Sequence, residues 1–187
     1  MQRPTPKDRP VILDPKQYIV SKTDAKGIIT YGNEYFVEIS GYSEAELIGK
    51  PHNLIRHPDM PKVIFKLMWE HIQNDQPIMA LVKNMAKDGR YYWVVSEFEA
   101  KRNKQTQEVI NYTAFRKAAP KKALPEIESL YAKLREIEKQ SGVEGSQNYL
   151  EGYLEDKGVS YDQYINKLVG NKGLFKIFFG AMKKLFG

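Results

Sequence analysis

Residues 78–87 and 90–101 are two long β-type runs separated only by Asp88-Gly89. An Asp-Gly pair between such runs is a strong two-residue hairpin signal, because both residues tolerate the positive φ that the tightest turns need. The chain is therefore expected to reverse there and lay the two runs antiparallel. A third run, residues 108–117, follows a polar loop and extends the same sheet. Upstream, residues 17–23 alternate apolar and polar, Asp24–Gly27 reads as a turn, and residues 28–31 read as the hairpin partner. Helical spacing follows at Tyr35, Phe36, Ile39 and Tyr42, and Ser43 with Glu46 stands in capping-box register. Val63, Ile64, Leu67, Met68, His71 and Ile72 trace one stripe, which predicts a helix over residues 60–74 that stops before Pro77. Two strands, short helices and then three strands specify an α+β fold. It is a five-stranded antiparallel sheet with helices on one face, and it has room beneath them for a small ligand.

Between the short helices and the long one lies Pro-His-Asn-Leu-Ile-Arg-His-Pro-Asp-Met-Pro-Lys, residues 51–62. Its three prolines forbid regular structure through most of its length, since each removes an N–H donor and restricts its predecessor. A segment that keeps Arg56, His57 and Asp59 this close together is built to present polar groups. A local salt bridge between Arg56 and Asp59, or a histidine bracing a turn, would use the same residues structurally.

After residue 118 the composition turns helical. Pro125 suits a first helical turn, and Ile127, Leu130, Tyr131, Leu134 and Ile137 form one apolar stripe. Gly142–Ser146 is expected to break it, with short C-terminal helices over 147–157 and 160–170, the second opened by Ser160 with Gln163. The organisation expected is an N-terminal extension over 1–16, a sensory domain over 17–118, a helical segment over 119–170 and a cationic amphipathic helix over 171–187. That last stretch carries four lysines and no acid among Leu174, Phe175, Ile177, Phe178, Phe179, Met182, Leu185 and Phe186. A helix of this kind suits a membrane surface or a partner's groove, or else docks on its own domain.

Charge excludes one class of function. The net charge of +6 resides at the ends, +2 in residues 1–16 and +4 in residues 171–187, which leaves the body neutral. A nucleic-acid domain concentrates its basicity on the folded body, so no nucleic acid is expected as partner. With no cysteine there is no disulfide framework, no thiolate metal site and no flavin–cysteine adduct. Three histidines without helical His-x-x-x-His spacing do not compose a metal site. No nucleophile triad or glycine-rich phosphate loop is present, so no catalytic residues are expected. The start lacks the apolar core of a secretory signal, and no apolar run reaches the roughly 18 residues that span a bilayer, so a cytoplasmic location is expected.

Several motifs carry a family resemblance. Gly27-Ile-Ile-Thr-Tyr-Gly-Asn33, Ser40-Gly-Tyr42, Leu47–Asn53 and above all Arg56-His-Pro-Asp-Met-Pro-Lys62 resemble the sensory PAS domain of the bacterial aerotaxis-receptor type. Met68-Trp69, Val82-Lys-Asn84, Lys87-Asp-Gly89, Tyr92-Trp-Val94, Arg116 and Leu130-Tyr131 continue it, from about residue 17 to residue 137. The resemblance implies a PAS fold, no catalysis, and non-covalent FAD whose redox state reports energy metabolism. It implies Asn33, Arg56, His57, Asp59, Phe65 and Asn84 as cofactor-binding residues. Asn33 serves equally as a helix N-cap, while Trp69 and Trp93 read as core and His52 as a turn residue. Haem, with His57 or His71 as axial ligand, is the alternative cofactor, and a cofactor-free adaptor is the alternative without one. Flavin-binding members commonly carry Pro-Trp-x-Gly at the third strand, where this chain has Pro77-Ile78-Met79-Ala80. The chain also ends without the membrane anchor and coiled coil of the receptor. It is similar in that respect to the sensory half of two-protein energy-taxis systems, which implies a membrane-bound chemoreceptor as partner, with peripheral membrane contact and a homodimer as further possibilities.

Overall fold

The computed structural model describes residues 3–74, 76 and 78–170. The chain runs β1 (Ile19–Asp24), β2 (Ile29–Gly32), α1 (Glu34–Ser40), α2 (Glu44–Leu47), α3 (Lys62–Gln73), β3 (Met79–Met85), β4 (Tyr91–Arg102), β5 (Val109–Ala118), α4 (Leu124–Asp156) and α5 (Tyr161–Val169). The strands form one antiparallel sheet in the order β2-β1-β5-β4-β3. The expected α+β fold with C-terminal helices is therefore present. The cationic helix expected over 171–187 lies outside the described residues.

The hairpin at Asp88-Gly89 is one residue longer than the two-residue turn expected. Ala86 N–H bonds the Arg90 carbonyl at 2.8 Å, which leaves Lys87, Asp88 and Gly89 as the loop. Gly89 takes φ +89°, the left-handed position that closes a three-residue loop. The extended segment before β1 crosses this hairpin. Lys7 N–H bonds the Gly89 carbonyl at 2.8 Å and Val11 N–H the Tyr91 carbonyl at 2.7 Å. A side chain at Gly89 would strike the Thr5 carbonyl.

Strand alternation sorts the sheet residues. Ser21, Val82, Asn84, Ser96, Ala114 and Arg116 face the layer of α1–α3. Residues offset by one, Trp93 and Glu97 among them, face α4 and α5. Trp93 lies 6.1 Å from the Tyr131 ring, centroid to centroid, and its indole N–H donates to Glu128 at 3.0 Å. The prediction of helices on one face thus holds for α1–α3, while the C-terminal helices cover part of the other. Ile127, Leu130, Tyr131 and Leu134 form the buried stripe of α4, as their spacing predicts. The break falls at Gly142 alone (φ 71°, ψ −174°) and the helix resumes at once, instead of parting over Gly142–Ser146.

β3 is an edge strand, and an edge exposes backbone groups that invite pairing. Here they are occupied from within the chain. Lys83 N–H meets the Met60 sulfur at 3.2 Å and the Lys83 carbonyl accepts from His57 N–H at 3.4 Å. Tyr131 donates its hydroxyl to the Leu81 carbonyl at 2.8 Å, and Met79 N–H donates to Asp162 at 2.9 Å. The proline-rich segment and both C-terminal helices thereby close one edge of the sheet. Among the described residues no helix is long and apolar enough to cross a membrane.

Candidate ligand-binding site

A cavity of about 230 Å³ lies between the inner face of the sheet and α3, reached past Lys26, Asn53 and Trp69. β1 contributes Ser21, β3 Asn84, β4 Ser96 and β5 Arg116. The proline-rich segment contributes His52 and Arg56, and α3 contributes Phe65, Met68 and Trp69. Polar residues at inward positions of four strands are what set this wall apart, because a plain core would place apolar side chains there.

The polar groups are mostly donors without acceptors. Arg56 Nε, Asn84 Nδ2 and Ser96 Oγ are buried and unpartnered. Leaving such a group unmet costs about 1–3 kcal/mol each, so three on one small cavity point to an occupant. The Arg56 guanidinium lies 3.5 Å from the centre of the Phe65 ring, held flat by cation–π attraction. Arg116 is 3% exposed and has only neutral partners, Ser21 Oγ and His52 Nε2, each at 2.9 Å. Burial lowers its pKa to about 10, which still leaves it cationic at neutral pH. His52 is held well below its usual pKa, first by burial and then by Arg116 and Arg56. It is therefore neutral, with Nε2 free to accept from Arg116. Among the described residues no carboxylate lines the cavity. The site is complementary to an electron-rich, planar group that presents a row of acceptors.

Of the six residues expected from the sequence, Arg56, Phe65 and Asn84 line this cavity. The other three stand elsewhere. Asn33 caps α1, accepting from Phe36 N–H at 3.1 Å and Val20 N–H at 3.0 Å, and donating to the Tyr18 carbonyl at 2.8 Å. His57 turns away from Arg56 against the edge of the Tyr91 ring, and its Nδ1 accepts from Asp59 N–H at 3.0 Å. Burial and then the charge of Lys83 depress its pKa to about 4. Asp59 pairs with Lys83 and with Arg135 of α4, each at 2.8 Å, and not with Arg56. Burial acts to raise its pKa, but the hydrogen bond and charge of Lys83, with His57 and Arg135, hold it below the usual carboxylate value.

His52, Ser96 and Arg116 belong to the wall although the residue reading did not single them out. The available signal was their inward register on strands or their place in the proline-rich segment. Trp69 is not core, being 38% exposed and set edge-on to Tyr112 at 5.2 Å beside Gly27 at the cavity mouth. Trp93, by contrast, is buried. His71 sits on a different cavity and bonds the Leu67 carbonyl through Nδ1 at 2.9 Å. Among the described residues no cluster of three or more His, Asp or Glu could hold a metal ion.

The Arg56 and Asn84 backbones form an isolated antiparallel bridge, which ties the proline-rich segment to β3. Arg56 and Asn84 face the cavity, whereas their neighbours His57 and Lys83 face the Asp59–Arg135 contact with α4. Glu138 extends that contact by accepting from Val63 N–H at the start of α3, 2.8 Å away.

Comparison with known proteins shows what these features resemble. A profile described as the PAS fold matches residues 29–114. Over 116 residues, 62% of this chain, the sequence is 38% identical to the aerotaxis receptor of Escherichia coli K12. It is 36% identical over 75 residues, 40% of the chain, to the nitrogen fixation regulatory protein of Klebsiella pneumoniae. The chain spans only 22% and 15% of the lengths of these relatives. Among solved structures, a PAS domain from Colwellia psychrerythraea superposes with a TM-score of 0.50 at 20% identity, covering 54% of this chain and 85% of its own. The light-state LOV domain of the photoreceptor aureochrome1 also gives 0.50, at 19% identity, covering 64% of this chain and 91% of its own. These two likenesses concern the fold alone.

Proposed function

Because this chain carries a PAS domain related to that of the aerotaxis receptor, we propose that it is a non-catalytic, cytoplasmic redox sensor for energy taxis that binds FAD non-covalently in the cavity under α3. The observation that carries this reading is the set of buried, unpartnered donors on that cavity, Arg56 Nε, Asn84 Nδ2 and Ser96 Oγ, beside Arg116, which bonds the neutral Ser21 and His52. An isoalloxazine ring offers a matching row of carbonyl and ring-nitrogen acceptors. At about 230 Å³ the cavity is smaller than the roughly 300–1,000 Å³ of most ligand sites, so it would hold the ring and not the whole dinucleotide.

The bound flavin would supply a ring whose charge and hydrogen bonding change with the supply of electrons. Everything else falls to the protein. Phe65, Met68 and Trp69 provide apolar surface, and Asn84, Ser96 and the two arginines orient the polar edge. Ile78 stands where flavin-binding members carry tryptophan; it is buried and does not itself line the cavity. A change in what Arg56 and Asn84 bond shifts the bridged segment and β3. Asp59 and Lys83 transmit that shift to Arg135, and α4 presents it to a membrane-bound chemoreceptor. The lysines and large apolar residues of 171–187 support peripheral attachment to an anionic membrane surface.

The test is the visible absorption spectrum of the purified, untagged protein, followed by identification of any chromophore released on denaturation. A two-banded flavin spectrum with FAD released supports the reading. A colourless protein that takes up no added FAD ends it.

A further inference from the structure

On the sheet face opposite the cavity, Glu97 of β4 is 5% exposed and its Oε2 has no hydrogen-bond partner. It stands directly across from Met79 of β3 in the strand register, so the two side chains are neighbours on one face. Met79 is also where α5 is fastened, its N–H donating to the Asp162 carboxylate in the first turn of that helix at 2.9 Å. The half-buried Asp162 carboxylate therefore stands near the buried Glu97, where a charge on Glu97 is costly.

Among the described residues nothing packed around Glu97 neutralises it. β3 offers Met79, and Lys83 further along is committed to Asp59. β5 offers Phe115 directly opposite, while Lys117 lies over the Tyr18 ring at 5.0 Å. From α5 come Asp162 and Tyr161, whose hydroxyl bonds that of Tyr131 at 2.8 Å. On α4, Glu128 is taken by Trp93 and Glu126 by Tyr164. Lys121 and Lys122 lie in the short 3-10 turn that touches α5, yet no lysine offsets the effect of burial. Burial, and then the charge of Asp162, raise the Glu97 carboxyl to about 8.

The helix resting on this carboxyl is short and borders a void. A mostly apolar cavity of about 210 Å³, lined by Leu67, Leu150, Leu154, Tyr161 and Asp162 among others, separates α5 from α3 and α4. α5 is nine residues long and joins α4 through Gly158, whose φ of +65° gives a ready hinge. Short elements beside voids open at low free energy.

We infer that α5 is a proton-gated latch, held on the β3 edge while Glu97 is uncharged beside Asp162 and released when Glu97 loses its proton. Release uncovers the Met79 N–H and the buried faces of Tyr161 and Ile165, so the surface offered to a partner changes with pH. This does not depend on what fills the first cavity.

The direction follows from linkage. The docked state keeps its proton up to about pH 8, whereas a freed Glu97 titrates near the ordinary 4.5. The docking constant should fall about tenfold per pH unit over that interval and level off above it. Hydrogen exchange of the full chain, read on peptides covering 160–169 and corrected for intrinsic rates, measures this between pH 6 and 9. The expected result is protection that declines about tenfold per unit to pH 8 in the wild type, stays constant in Glu97→Gln, and breaks at lower pH in Asp162→Asn. Should Glu97→Gln fail to fold, the 13C resonance of the Glu97 carboxyl in the wild type decides. Titration above pH 7 supports the latch, and titration near 4.5 overturns it. Flat wild-type protection, or a decline that persists in Glu97→Gln, also overturns it.

Discussion

Lys83 and Asn84 are adjacent in β3, yet they serve opposite faces. Asn84 leaves an amide N–H unmet in the cavity, whereas Lys83 lies over the Tyr91 ring at 4.4 Å and holds Asp59. The pleat makes this division unavoidable, and under the proposed function it separates binding from transmission at the level of single side chains. Replacing Asn84 with Ala should therefore weaken FAD retention about tenfold or more, since one buried hydrogen bond is lost at about 0.5–1.5 kcal/mol and the ligand's acceptor is stranded as well. Flavin content per polypeptide after gel filtration measures it. Asp59→Asn should behave oppositely, keeping the flavin and losing the signal. Normal flavin absorbance together with failed taxis would be the expected pair of readings. Asn33→Ala should reduce stability by about 1 kcal/mol through the lost N-cap and leave flavin affinity alone, which a urea midpoint and a flavin titration would show together.

Among the elements, α4 depends most on one backbone position. Gly142 adopts φ 71° and ψ −174°, a region that essentially only glycine occupies, with nothing near the place a Cβ would take. The cost of Gly142→Ala is therefore conformational and not steric, about 1–3 kcal/mol. It should appear as a lower urea midpoint with the absorption spectrum unchanged. Most elements were legible because their signals are local. The stripe Ile127–Leu134 and the Ser160–Gln163 box depend on neighbours within a turn or two. The hairpin loop was one residue longer than its Asp-Gly pair suggested, because register across β3 and β4 and the strap over Gly89 settle where pairing ends. Of the site, Arg56 and Asn84 could be named from motifs. His52 and Arg116 also lie in the motifs, but their place on the cavity could not be read there, because their meeting joins residues 64 apart in the chain.

For the molecule as a whole, two histidines and one buried carboxyl bracket the pH of greatest stability. His57 has its pKa depressed to about 4 from 6.5 and His52 is held well below 6.5, so their contributions are complete above pH 6.5 and are lost as pH falls. Glu97 has its pKa raised to about 8 from 4.5, so its contribution is complete below pH 4.5 and is lost as pH rises toward 8. Between 4.5 and 6.5 the two histidines together outweigh Glu97, each group giving about a factor of ten per pH unit. Stability should therefore be greatest near pH 6.5, fall on the alkaline side to pH 8, and fall on the acid side below 6.5. Urea midpoints across pH 4–9 check the profile. Glu97→Gln should remove only the alkaline limb.

The sequence by itself determined the strand and helix order, the antiparallel sheet, the irregular Arg56–Asp59 segment and the PAS resemblance. All of these rest on short-range periodicity, turn chemistry or contiguous motifs. Only the tertiary structure decided which of the marked residues face the cavity. It sent Arg56 inward and His57 outward, made Asn33 a cap, gave Asp59 to Arg135, and put Glu97 under α5. The reason is physical. A side chain's face is fixed by how strands pair and which helix covers them, and that information lies in contacts between distant residues, which no local pattern records.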